Sequence, residues 1–119
     1  MCLDINPEVK SLNKRTVWKV FDRQDNKIVS LYMSATYPKG KLIQRSRGAA
    51  VEYGMGEHGL HFYLSKSIAK KRAAEWPNSY IAEFAVVPED FMFISVDKTE
   101  AMYERATRVG NYIRVKLAR

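Results

Sequence analysis

The sequence predicts an α+β fold, a mostly antiparallel sheet of roughly five to six strands with one principal helix packed on it. Three observations carry this prediction. Residues 16–21 (TVWKVF) and 27–33 (KIVSLYM) are β-branched and aromatic runs on either side of the turn formers at 22–26, the spacing of an antiparallel hairpin. Residues 60–64 (LHFYL) run straight into a serine and then a basic, alanine-bearing stretch, the signature of a strand delivering the chain to a capped helix. Residues 91–96 (FMFISV) and 112–117 (YIRVKL) supply, respectively, the most hydrophobic run and a cleanly alternating one, and both read as strands.

Taken in order, the first fifteen residues show no sustained period and contain Pro7, so an irregular arm or one helical turn is expected. After the hairpin, residues 41–45 add a short strand. Residues 46–58 form a long connection punctuated by Gly48, Gly54 and Gly56, within which 47–53 has the composition of a short helix. Residues 60–64 are a strand, Ser65 a cap, and 66–75 a helix. Ala69, Ala73 and Trp76 fall at i, i+4 and i+7 beside Ile68, which places an apolar stripe against the sheet, buries Trp76 and turns Lys66, Lys70 and Lys71 outward. Pro77 stops the helix. Residues 80–87 read as a strand, Pro88-Glu89-Asp90 as a turn, and 91–96 as the central strand. The polar stretch 97–108 is expected to be helical in its first part, with Glu100 and Glu104 on one helix face near Arg105 and Arg108. In the last strand Ile113, Val115 and Leu117 share one face, and Arg114 and Lys116 the other.

A chain of 119 residues is the size of one domain and can close one core. The expected organisation is a single domain over 1–119 with residues 1–15 as the arm. No apolar run reaches bilayer length, and the start MCLDINPEVK lacks the charged and apolar regions of an export signal, so an unexported, cytoplasmic protein is expected. One cysteine, Cys2, and two histidines give neither an internal disulfide nor a zinc ligand set. No cofactor is expected.

Charge is more informative by location than by total. Of the 20 basic residues, Lys39, Lys41, Arg45, Arg47, Lys66, Lys70, Lys71 and Arg72 lie between positions 39 and 72 against only Glu52 and Glu57, leaving twelve basic and eleven acidic residues elsewhere. Nearly all of the net +7 therefore sits in the middle third of the chain, and the eight cations are the candidate contacts for an anionic partner, nucleic acid, nucleotide or host protein. Solubilising surface charge is the plain alternative.

His61 and Tyr63 alternate with Leu60, Phe62 and Leu64. If the aliphatic and Phe face meets the helix and core, the His–Tyr pair borders a ligand cleft. A half-buried pair bonded to backbone is the competing reading. Neither His61 nor His58 has a carboxylate at dyad spacing, and Ser65 and Ser67 lack a G-x-S-x-G frame. Gly54, Gly56 and Gly59 spell G-x-G-x-x-G, but the strand 60–64 intervenes before the helix, which rules out a dinucleotide fingerprint.

The segment GLHFYLSKSIAKKRA, with WKVFDRQDNKIVSLY before it and YIAEFAVVPED and YIRVKL after it, resembles a group of small phage and large-virus accessory proteins that share a Gly-[Ile/Leu]-His-Phe strand followed by a short helix. The resemblance spans residues 17–117 and implies a viral accessory protein, placed in the host cytoplasm, rather than a metabolic enzyme. Residues 59–74 are also similar to the glycine-aromatic strand and alanine-ended helix of the ADP-ribosyltransferase superfamily. The chain has no S-T-S and no E-x-E after Phe91, so that likeness implies at most a degenerate relative. The function expected is a non-enzymatic, phage-type binding protein engaging an anionic partner, nucleic acid or nucleotide, with inhibition of a host nucleic-acid-handling or defence protein as one alternative and a degenerate ADP-ribosyltransferase-like enzyme as the other.

Overall fold

The computed structural model describes residues 6–30, 36–44 and 60–118, and it is an α+β structure. The element order is β1 (Thr16–Gln24), β2 (Lys27–Ser30), β3 (Leu42–Gln44), β4 (Leu60–Tyr63), α1 (Lys66–Ala73), β5 (Ser79–Ala85), a 3-10 turn (Pro88–Asp90), β6 (Phe91–Ile94), β7 (Glu100–Tyr103), β8 (Arg105–Arg108) and β9 (Ile113–Val115). The nine described strands join one open sheet in the order β3-β8-β5-β1-β4-β7-β6, with β2 added to β1 and β9 to β5. Every described pairing is antiparallel. The expected fold class is therefore present with more strands than the sequence suggested.

β1 and β5 form the spine, paired from Thr16↔Ala85 to Asp22↔Ser79. Alternation along β1 separates two layers. Val17 and Phe21 face the main core with Phe62, Phe84, Tyr37 and Tyr103, whereas Trp18 and Val20 face α1, where Ala69 and Ala73 are fully buried against Ile81. β7 and β8 are joined through Glu104 alone, so their ends lie within about 7 Å. Across a flat sheet their four strand steps would span about 19 Å. The sheet must coil, and it coils around the main core.

Local chemistry explains the junctions. Ser65 is extended (φ −135°, ψ 153°) and its Oγ accepts from the Ile68 amide at 3.2 Å, capping α1. In the β1–β2 turn Asp25 adopts φ 56°, and at the other end of α1 Asn78 adopts φ 57°. Gly40 sits at φ 79°, a conformation that favours glycine, and its amide donates to the Arg108 carbonyl. Asp97 is held below its ordinary carboxylate range, first by Ser95 and then by Thr99, as the β6–β7 turn closes around it.

Several expectations are corrected. The run 91–96 is an edge strand, not a central one. Its hydrophobicity comes from packing on the main core and from the N-terminal arm, whose Asn6 amide donates to the Ile94 carbonyl. The arm contains neither helix nor strand among its described residues, yet Val9 and Leu12 pack on the core. The stretch 97–108 is two strands rather than part helix. Ala101, Met102 and Tyr103 are all buried, so no alternation showed in the sequence and the helix-forming composition misled. The helix ends at Ala73, short of 75, and Trp76 falls beyond it, exposed rather than buried. The expected helix over 47–53, the connection 46–58 and the end of the 27–33 strand lie outside the described residues, as does Cys2.

Candidate anion-binding surface

Six of the eight candidate cations lie among the described residues. Lys66, Lys70, Lys71 and Arg72 ride on α1, on one layer of the sheet. Lys39 and Lys41 belong to the loop between Tyr37, which is buried in the main core, and β3. Arg45 and Arg47 lie outside the described residues.

On α1 the charge is one-sided. The helix carries no acidic residue. Lys66, Lys70 and Lys71 are exposed, and among the described residues none of them forms an ion pair. Lys66 Nζ lies 5.4 Å from the centre of the Trp18 ring, a cation–π contact that leaves its charge at the surface. Arg72 behaves differently. Its Nε donates to Tyr63 Oη at 3.3 Å and its Nη1 meets Glu75 at 3.2 Å. The Tyr63 hydrogen bond, followed by that to Glu75, holds the guanidinium above its ordinary value. Arg72 thus ties helix to strand. In the loop before β3, Lys39 Nζ donates to Asn111 Oδ1 at 3.1 Å and Lys41 is exposed.

The His61–Tyr63 reading needs correction in its geometry. The Leu60 and Phe62 side chains face the main core, and α1 covers the Tyr63 side. Tyr63 is half-buried and bonded to Arg72, and the His61 carbonyl accepts from Lys19 Nζ at 2.8 Å. Across β7, His61 pairs with Met102 and Tyr63 with Glu100. Burial raises the Glu100 carboxyl above its ordinary value, with Arg72 opposing the shift. Of the pair, Tyr63 is therefore held against the helix rather than open to a cleft. Among the described residues no group of three or more His, Cys, Asp or Glu is arranged to hold a metal ion, and no helix is long and apolar enough to cross a membrane.

Two arginines expected on a helical salt-bridged face have structural partners instead. Arg105 donates through Nε and Nη2 to Asp90 at 3.0 and 2.6 Å. Arg108, 9% exposed, donates to the carbonyls of Tyr37 and Gly110, each at 2.7 Å, and its guanidinium lies 4.2 Å from the Tyr112 ring centre. Arg114 and Lys116 are exposed cations outside the middle third, so a census by chain segment passed over them. Their shared face in the alternating run YIRVKL was the available signal.

No protein-family model matches the chain, and no significant match was found among curated proteins or solved structures.

Proposed function

We propose that this chain is a small non-enzymatic binding protein, of the phage accessory kind its sequence resembles, that engages nucleic acid through its basic surface. The observation that carries this reading is the outer side of α1, where three exposed lysines stand without an acidic residue in the helix or an ion pair to any described residue. Unneutralised lysines on a rigid element suit a polyanion, whose binding releases condensed counterions. Lys39 and Lys41, exposed in the loop before β3, add to the positive field that would draw a polyanion in.

The test is oligonucleotide binding followed by fluorescence anisotropy across a salt series. Affinity is expected to fall steeply with salt. Replacing Lys66, Lys70 and Lys71 together by Gln is expected to flatten the log–log slope by about 2 to 3, at roughly 0.7–0.9 for each phosphate no longer neutralised. Binding that is indifferent to salt, or a partner retained from host lysate after nuclease treatment with no affinity for free oligonucleotide, overturns the reading in favour of a protein target.

A further inference from the structure

Trp76 is 45% exposed, although a tryptophan at the end of a helix is among the side chains most readily buried. Its backbone is fixed. The Trp76 amide donates to the Ala73 carbonyl at 3.1 Å, and its carbonyl accepts from Ser79 Oγ at 2.8 Å, where Ser79 is fully buried. The indole is therefore presented from an anchored turn.

One residue further along the chain, at Pro77, the sheet opens. The β5–β9 ladder ends at Ser79↔Val115, because the residues that would continue it are Asn78 at φ 57° and Pro77, which has no N–H. Beyond Val115 the chain leaves β5, and the Ala118 amide bonds the Ala74 carbonyl at 2.8 Å. Between the separating strands lies an open cleft of about 510 Å³ lined by Pro77, Asn78, Arg114, Val115, Lys116 and Leu117. Among the described residues its lining holds two cations and no acid, and the one side-chain hydrogen bond to either cation is a long one, Arg114 Nη2 to Asn78 Oδ1 at 3.4 Å. The C-terminal segment thus meets the C-terminal end of α1, the helix that carries Lys70 and Lys71 in its last turn. The nearest carboxylate along the chain, Glu75, is engaged by Arg72.

From this juxtaposition we infer that the partner is single-stranded nucleic acid, with Trp76 as a stacking platform for a base and Arg114 and Lys116 holding the adjoining phosphates. The inference rests on the nucleic-acid reading above and sharpens it. An indole can stack only on a base whose face is free, which a duplex does not offer. An acidic peptide would satisfy the two cations but make no comparable use of the exposed ring. The edge is also poorly suited to a second copy of this chain, since pairing β9 with β9 would bring Arg114 and Lys116 against their own counterparts.

The experiment compares a short oligo(dT), a hairpin duplex of equal charge and a poly-glutamate peptide, using the full chain. Oligo(dT) is expected to bind more tightly than the duplex and to quench tryptophan emission. In Trp76→Phe the quench disappears while binding persists, leaving the Trp18 emission unresponsive. Trp76→Ala is expected to weaken oligo(dT) roughly 5- to 100-fold, the range of one stacked base. The Arg114→Gln/Lys116→Gln pair should flatten the salt slope by about 1.4. Should Trp76→Ala fold poorly, the Phe variant and its quench remain decisive. Equal binding of strand and duplex, with Trp76 silent and the α1 lysines still required, overturns this inference and leaves the nucleic-acid reading standing. Poly-glutamate competing as well as oligo(dT), with the same Trp76 dependence, assigns the cleft to an acidic peptide and overturns it too. If no nucleic acid binds, both readings fall together.

Discussion

Tyr103 is fully buried among Phe62, Phe91 and Leu60, and its hydroxyl has no hydrogen-bond partner among the described residues. Burial alone pushes its pKa up to about 12. An unpaired buried hydroxyl costs about 1–3 kcal/mol, so Tyr103→Phe should be neutral or stabilising by up to about 1–2 kcal/mol, measured by urea unfolding. The same residue predicts a pH effect. Because the folded pKa lies above the ordinary value near 10, the neutral phenol's contribution is fully present below pH of about 10 and is lost as pH rises through about 12. The wild type should therefore lose stability in that alkaline window more steeply than the Phe variant. A marked destabilisation in Tyr103→Phe at neutral pH would mean that the hydroxyl is bonded after all. At this scale the sequence hid more than it showed. Nothing in EAMYERATR distinguishes Tyr103, which is interred, from Tyr112, which is half-exposed and supports Arg108, since burial is decided by which strands the sheet brings alongside.

The elements were most legible where local chemistry decides them. Ser65, Pro77 and the hairpin could be placed because a cap, a ring without an N–H and turn formers between two β-branched, aromatic runs act within a few residues. The Ser65 cap is correspondingly testable: Ser65→Ala should cost about 1 kcal/mol and Ser65→Gly only a few tenths, read from thermal melts followed by far-UV circular dichroism. Equal effects in both would move the stabilisation away from the Oγ–Ile68 bond. Elements set by distant neighbours were not legible. β7 has helix-forming residues and becomes a strand because β4 and β6 flank it. Phe91–Ile94 reads as a sheet centre and becomes an edge because the arm and the main core bury it. Gly110 is a further case: a Cβ there would meet Glu83 Cβ at 3.2 Å, where the Val109 and Gly110 amides both bond the Glu83 carbonyl, a close approach to a distant strand that the Gly110-Asn111 dipeptide, a turn signal, does not announce.

For the whole molecule, the candidate surface was only half visible in the chain. Counting charge by segment found the α1 lysines together with Lys39 and Lys41, whose loop is anchored by Tyr37 in the main core and by the Lys39–Asn111 bond. It also passed over Arg114 and Lys116, whose relevance depends on a cleft that exists only once β9 separates from β5. The arm is the other feature defined at this scale. Removing the chain up to residue 12 takes Val9 and Leu12 off the core and uncovers the Ile94 carbonyl at the sheet edge. The truncated protein should be less stable by about 1–3 kcal/mol, from the apolar area newly exposed to water, and more prone to associate through the freed edge. Denaturant midpoints and light scattering check the two effects separately. The β1–β5 spine sets the order of events in the life of the chain. Residues at 16–22 find their central partner only at 79–85, so a growing polypeptide cannot assemble its core until synthesis has passed Ala85. Until then β1 and β2 can form little more than a solitary hairpin, marginal in water. Such distant pairing places folding in the slow, millisecond-to-second regime, and an emerging chain of this kind depends on its own positive charge to stay apart from its neighbours.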